Sequence, residues 1–163
     1  MNSGRQLCLF TLDEHRHALS LACVERVVFV VDITPLPKAP SNVLGIINVK
    51  GDIIPVYNPR QRFYLTERDI HLTDQLLIAR TSQRTIALLV DSVDAVVEVA
   101  EEEIAEAKTI TLQREYIQGV IKLRDGLVLI HDLELFFSTE EERTLTEALQ
   151  SAVKPQDCSM NDD

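Results

Sequence analysis

The chain carries one pattern of strands twice. Residues 18–30 match residues 87–99 at an offset of 69, and six of the thirteen positions are identical. Residues 45–59 match residues 119–133 at an offset of 74. In both segments of this second pair a glycine begins an aliphatic strand, a basic residue precedes a glycine-containing turn, and another aliphatic strand follows. An internal repeat of this length restricts the fold to two copies of one small unit.

Each copy predicts short strands joined by hairpins. Lys-Gly-Asp at 50–52 and Arg-Asp-Gly at 124–126 are hairpin turn signals. Each copy then ends in a residue type that caps helices, Asn58 or Asp132. Short aliphatic strands at regular spacing are typical of small barrels or sandwiches, and 163 residues suffice for two small units around a common core. We therefore predict a mainly β fold with short helices.

The C-terminal segment departs from this pattern. Residues 139–142, Thr-Glu-Glu-Glu, have the sequence of a capping box. The apolar residues that follow fall on one helical face: Leu145, Ala148, Leu149 and Ala152. We predict a helix over 139–154 that packs on a barrel, with a partner-binding helix as the alternative, and a disordered tail over 155–163.

The charge distribution restricts the partners. The net charge is −10, and twelve of the 26 acidic residues lie in 98–106, 140–147 and the tail from Asp157. Such a balance argues against nucleic-acid binding, which needs clusters of Lys and Arg, and against an anionic membrane surface. No apolar run reaches the length of about 20 residues that a membrane helix needs, so we expect no membrane insertion. Lys50, Arg60 and Arg62 form the clearest basic cluster, which suggests an acidic protein partner.

No residue pattern indicates a metal or cofactor site. Phosphate-loop, dinucleotide, nucleophile-elbow and zincin motifs are absent from the sequence. Cysteines at 8, 23 and 158 are too few and too widely spaced for a disulfide framework, so we expect two buried thiols and one in the tail, in a reducing compartment. Histidines at 15, 17, 71 and 131 are scattered, and we interpret them as surface or hydrogen-bonded strand residues. We therefore expect no catalytic residue, no cofactor and no metal.

Several sequence motifs occur in an order that resembles a known family. Pro-Lys-Ala-Pro at 37–40 and Val-Leu-Gly-Ile-Ile-Asn-Val-Lys-Gly-Asp-Ile-Ile-Pro-Val at 43–56 look like the signature of the CheW coupling-protein family of bacterial chemotaxis. Shorter matches are His-Ala-Leu-Ser-Leu at 17–21, Val-Glu-Arg-Val at 24–27, Val-Asp-Ser-Val at 90–93, Tyr-Ile-Gln-Gly-Val at 116–120 and Ile-His-Asp-Leu at 130–133. The resemblance covers residues 5–138.

The resemblance implies a specific version of the predicted fold. Members of the family are tandem pairs of five-stranded SH3-like β-barrels that share a hydrophobic core. On this basis the first barrel unit is placed at about residues 5–65 and the second at about 74–138 of the sequence, with exchange of terminal strands as an alternative.

The same resemblance implies a function. Members are cytoplasmic, non-catalytic adaptors that connect the cytoplasmic tip of a methyl-accepting chemoreceptor to the regulatory domain of a CheA-type histidine kinase in membrane receptor arrays. The receptor groove between the barrels maps to Val24, Arg26, Gly45, Val49 and Lys50. This chain has Lys50 where the family usually has Arg, which keeps the charge but loses the two-pronged guanidinium. It also has Asn-Pro at 58–59 where the family usually has Asp-Leu.

Three other functions stay open at this point. One is a scaffold of the same fold in a non-flagellar chemosensory or pilus pathway, which the sequence does not separate from flagellar chemotaxis. Another is a small β-barrel enzyme with Asp91, Asp94 and His131 as acid–base groups, which requires the three side chains to converge in a cleft. The last is a structural or ligand-binding module.

Overall fold

The computed structural model describes residues 4–63, 65–106, 117–124 and 126–153. Within these ranges the chain forms eleven strands and one α-helix. They are β1 (Gly4–Leu12), β2 (His15–Ser20), β3 (Val24–Phe29), β4 (Val43–Val49), β5 (Asp52–Tyr57), β6 (Gln75–Arg80), β7 (Thr85–Val90), β8 (Ser92–Ala100), β9 (Ala105–Glu106), β10 (Ile117–Leu123), β11 (Gly126–His131) and α1 (Thr139–Val153). The predicted tail at 155–163, with Cys158, lies outside the described residues.

The strands form two sheets. A six-stranded sheet has the order β8-β1-β2-β11-β10-β9, in which β9 contributes only two residues, and a five-stranded sheet has the order β3-β6-β7-β5-β4. Neighbouring strands are antiparallel except at β2–β11 and β5–β7, which are parallel. The predicted fold class, a tandem pair of small β-barrels followed by a C-terminal helix, is confirmed.

Each sheet combines strands from both halves of the chain. The β1–β2 hairpin belongs with β8–β11 of the second half, and the β6–β7 hairpin belongs with β3–β5 of the first half. The sheets therefore do not follow the contiguous units at 5–65 and 74–138, and their pairing corresponds to the alternative in which strands are exchanged between the units. The two parallel contacts pair the open edge of each exchanged hairpin, which would otherwise expose unpaired backbone groups.

A core shared between the two sheets holds them together. It includes buried side chains of the six-stranded sheet, the five-stranded sheet and α1, among them Phe10, Leu19, Leu77, Leu88 and Leu145. Each sheet also encloses a smaller aliphatic cluster of its own. Because burial of a large apolar side chain contributes about 1.5–3 kcal/mol, this shared core stabilises the packing of the two sheets against each other. The predicted shared core is therefore observed.

Helix α1 covers this core. Its capping box is formed by Ser138 and Glu141, one residue before the predicted 139–142: the Glu141 amide donates to the Ser138 hydroxyl at 3.1 Å, and the Ser138 amide donates to the Glu141 carboxylate at 2.9 Å. Leu145 and Ala148 are buried in the shared core. The predicted packing of the helix on a barrel is what the structure shows.

The two predicted caps begin different local structures. The Asp132 carboxylate accepts the amide of Glu134 and begins a short 3-10 helix at Leu133–Leu135. The Asn58 side chain accepts the amide of Arg60, but the residues after it form turns and not a helix.

The β4–β5 hairpin turn consists of two residues with left-handed backbone. Val49 pairs with Asp52, and between them Lys50 has φ of 53° and Gly51 has φ of 93°. Positive φ at both positions is the requirement of a type I′ turn, whose twist matches that of the strands. The turn thus fixes the direction in which Lys50 leaves the sheet.

Replacing Gly51 by valine is expected to destabilise the fold by about 1–3 kcal/mol, because a β-branched residue rarely adopts positive φ. A Cβ atom at Gly51 would meet no atom within 4 Å, so the backbone alone carries this cost. Denaturant unfolding measures it. Gly51→Asn is the control, since Asn tolerates the left-handed region, and equal losses for Val and Asn would contradict the turn argument.

Candidate functional site

A cavity of about 370 Å³ opens on the five-stranded sheet. It is formed by β3, the β4–β5 hairpin, β6, the connection to β7, and one residue of α1. Its lining residues are Glu25, Arg26, Val49, Lys50, Asp52, Ile53, Ile54, Pro55, Ile78, Arg80, Arg84, Thr85 and Leu149.

The walls of this cavity are basic although the chain is acidic. Four cations face two carboxylates: Arg26, Lys50, Arg80 and Arg84 against Glu25 and Asp52. In the described part of the chain no carboxylate forms an ion pair with Arg26, Lys50 or Arg80. In a chain of net charge −10 this local excess of positive charge favours an acidic binding partner.

A β-bulge directs Arg26 towards this cavity. Val24 pairs with Ala79 and Arg26 with Ile78, so Glu25 is an extra residue in β3 without an opposite partner in β6. A bulge of this kind bends its strand and re-aims the side chains beside it. Glu25 and Arg26 are consequently both exposed and both line the cavity.

The structure brings together three of the five residues predicted to bind a partner. Arg26, Val49 and Lys50 line the cavity. Val24 lies at the start of β3 and packs, half-buried, against the shared core. The described lining residues of the cavity come from the five-stranded sheet and α1, and the binding of a partner by the five residues stays a prediction.

Gly45 does not face a partner. It is buried, and a Cβ atom at this position would lie 2.2 Å from the carbonyl oxygen of Thr34 and 2.9 Å from Cγ2 of Ile33. Thr34 and Ile46 exchange two backbone hydrogen bonds, of 2.9 and 2.7 Å, beside it. The missing side chain therefore makes room for the chain's own backbone, which argues against the partner contact that the resemblance implied for Gly45.

The predicted basic cluster of Lys50, Arg60 and Arg62 is also wrong. Arg60 is only 3% exposed and its guanidinium donates to Asp13 at 2.6 Å and to Asp91 at 2.7 Å. Arg62 donates to Glu141 at 2.7 Å. Both side chains are ion-paired to segments distant in sequence, so they hold the residues after β5 in place and do not extend the charge of Lys50.

His17 and His131 form a buried pair. The Nδ1 atom of His17 lies 2.8 Å from Nε2 of His131, and both rings stack on Phe63 with centroid separations of 4.7 and 4.4 Å. Burial, together with nearby His15, lowers the pKa of His17 to about 4. Burial, together with His17, lowers the pKa of His131 well below its ordinary value. Both are thus core residues and neither is a surface histidine.

The three side chains of the hypothetical acid–base enzyme have separate surroundings. Asp91 accepts from Arg60 and Arg68, and Asp94 accepts from the hydroxyl groups of Thr11 and Ser92. His131 lies in the aromatic core against His17. With these separate partners, the three side chains do not converge in the cleft that the enzyme hypothesis requires.

The two described cysteines are unreactive in their surroundings. Burial raises the pKa of the Cys8 thiol and raises that of Cys23 to about 11. Both thiols are therefore protonated at neutral pH, and a thiol is a weak nucleophile. Among the described residues no group of three or more His, Cys, Asp and Glu side chains is arranged to hold a metal ion. None of the described helices is long and apolar enough to cross a membrane.

Sequence reasoning missed Arg80, Arg84 and Leu149. The two arginines flank the connection between β6 and β7, and this pair of basic residues around a predicted hairpin was the available signal. Their position could not be assigned, because the strand exchange brings β7 beside β5 and hence beside the Lys50 hairpin.

Comparison with known proteins agrees with this architecture. A family model for the CheW-like domain matches residues 6–141. Chemotaxis protein CheW of Treponema pallidum (strain Nichols) is 30% identical over 146 residues, which cover 86% of each chain. Chemotaxis protein CheW of Thermotoga maritima is 29% identical over 140 residues, which cover 86% of this chain and 90% of that relative.

A solved structure has the same fold. The crystal structure of the scaffolding protein TtCheW from Thermoanaerobacter tengcongensis superposes with a TM-score of 0.77 at 28% identity, covering 85% of this chain and 96% of that chain. The family match includes both sheets and extends into α1. The chain therefore belongs to the CheW-like domain family of chemotaxis adaptor proteins.

Proposed function

We propose that this chain is a non-catalytic adaptor that couples the cytoplasmic tip of a chemoreceptor to the regulatory domain of a CheA-type histidine kinase. The observation that carries the proposal is the basic cavity, in which Arg26, Lys50 and Arg80 have no carboxylate partner among the described residues. Membership of the CheW-like family supports it. In this role the chain works in the cytoplasm, at arrays of membrane receptors.

The basic cavity suits the acidic surface of a receptor helix. Exposed cations at the rim of an interface act mainly on the association rate, and salt screens them. Apolar side chains between the cations, such as Val49, Ile53 and Leu149, provide surface that a partner can bury. The receptor tip is thus assigned to the five-stranded sheet on the α1 side.

The kinase domain is assigned to the edges of the sheets. β3 is an edge strand, and Val27, Phe29 and Val31 alternate along this segment with outward side chains, of which Phe29 is 64% exposed. β8 is an edge of the six-stranded sheet and exposes Val96. Apolar edge strands favour association with another β protein. None of these exposed apolar side chains lines the cavity, so a second partner can contact them while the cavity is occupied.

Lys50→Glu is expected to leave folding intact and to weaken binding of a soluble receptor fragment by about 1–3 kcal/mol at low salt. The deficit shrinks as salt rises, because screening reduces the repulsion. Lys50→Arg is expected to bind at least as well as the parent, since Arg can also form a two-pronged contact. Titration calorimetry at two ionic strengths measures these differences.

Lys122→Glu is the matched control, because it makes the same change of charge at an exposed position of the six-stranded sheet. It should bind the receptor fragment as the parent does. If Lys50→Glu binds as well as Lys122→Glu at low salt, the cavity loses its role as the receptor site.

A further inference from the structure

Helix α1 holds one of the four cations of the cavity. The Nη2 atom of Arg84 donates to the Glu142 carboxylate at 2.9 Å and to the Thr146 hydroxyl at 2.6 Å. Glu142, Thr146 and Leu149 are spaced four and three residues apart, so they lie on one face of the helix. Leu149 lines the same cavity as Arg84. The contact face of α1 is therefore also a wall of the cavity.

The pairing of Arg84 is incomplete. A single nitrogen makes both contacts, while the buried Nε atom has no acceptor among the described residues. A guanidinium binds a carboxylate most strongly through two parallel hydrogen bonds, and this pair does not use that geometry. Arg84 thus retains donor capacity for a better-placed carboxylate.

The backbone of Arg84 is fixed independently of its side chain. Its amide donates to the Thr81 hydroxyl oxygen at 3.1 Å, and its carbonyl accepts from the same hydroxyl at 3.0 Å. The ion pair with Glu142 is partly exposed, with side-chain exposures of 17% and 24%. Partly exposed pairs contribute little to stability, so the side chain can change partner without disturbing the sheet.

We propose that Glu142 is an internal competitor for the acidic partner of the cavity. In the free adaptor it neutralises Arg84, and a carboxylate of the partner replaces it on binding. Helix α1 thereby sets how strongly the cavity attracts acidic surfaces. This inference rests on the proposed function for the identity of the partner, and on the cavity alone for the competition.

Glu142→Gln tests the competition directly. Titration with hexaglutamate, a probe that needs no receptor, is expected to show affinity about two- to fivefold higher than for Glu140→Gln at low salt. Glu140 is the matched control, because it lies on the same helix and pairs with Arg143 on the exposed side. Both variants remove one negative charge, so the difference between them reports the local effect on Arg84.

A second variant isolates the arginine. In an Arg84→Met background the difference between Glu142→Gln and Glu140→Gln is expected to disappear. Equal affinity of these two variants with Arg84 present, or weaker binding by Glu142→Gln, overturns the proposal. If the receptor fragment binds no variant while the hexaglutamate difference persists, the competition stands and the proposed receptor partner is wrong.

Discussion

Gly45→Asp is expected to destabilise the fold by more than about 4 kcal/mol, a loss that few single substitutions cause. The new Cβ atom would lie 2.2 Å from the carbonyl oxygen of Thr34 and 2.8 Å from its carbonyl carbon. Both are backbone atoms in a segment hydrogen-bonded to Ile46, so neither can rotate away. The aspartate would also bring an unpaired charge into a buried site.

Urea unfolding of the variant measures this loss. Asn48→Asp is the control, because it adds the same charge at an exposed position of β4 and keeps the oxygen that accepts the Gly51 amide. The control should unfold near the parent midpoint. A Gly45→Asp protein with the parent's unfolding midpoint and impaired receptor binding would contradict the packing role and restore the partner-facing one.

The sequence predicted the elements of the fold better than their pairing. The repeat and the turn signals at 50–52 and 124–126 predict the hairpins, because alternation and turn residues are local properties. Which hairpin joins which sheet depends on contacts between the two halves, namely the antiparallel pairs β1–β8 and β3–β6 and the parallel pairs β2–β11 and β5–β7. All four join residues far apart in the chain. Two similar halves have similar hairpins, so a repeat gives no preference between contiguous and exchanged pairing.

The sequence predicted only part of the candidate site, and the reason is again the strand exchange. Arg26 and Lys50 belong to motifs in the first half, and the structure places both at the cavity. Arg80 and Arg84 reach it only through the strand exchange. Arg60 has the same local appearance as Lys50 in the sequence, but it is buried by ion pairs to Asp13 and Asp91 that no local pattern reveals.

The buried histidine pair makes the fold sensitive to acid. The folded state keeps His17 neutral down to a pKa of about 4, whereas an unfolded histidine titrates near pH 6.5. Below about pH 6.5 the unfolded state therefore binds more protons than the folded state. The stabilising effect of the neutral ring is therefore complete above about pH 6.5 and is lost as the pH falls towards 4. The lowered pKa of His131 adds a loss of the same sign.

Protonation of His17 in the unfolded state is therefore expected to reduce the free energy of unfolding by about 2 kcal/mol between about pH 7 and pH 5, and His131 adds a loss of the same sign. Urea unfolding across that range measures the slope. His17→Phe, whose apolar ring can stack on Phe63, should lose about 2 kcal/mol less than the parent over this range, even if the variant is less stable at neutral pH. The lowered pKa of Asp74, which arises despite its burial because Arg68 donates to it, acts in more acidic solution, from the ordinary range of a carboxyl group downwards. The loss of unfolding free energy above about pH 5 is therefore assigned to the two imidazoles. If the free energy of unfolding of the parent protein were constant across this range, the assignment of a neutral buried pair would be contradicted.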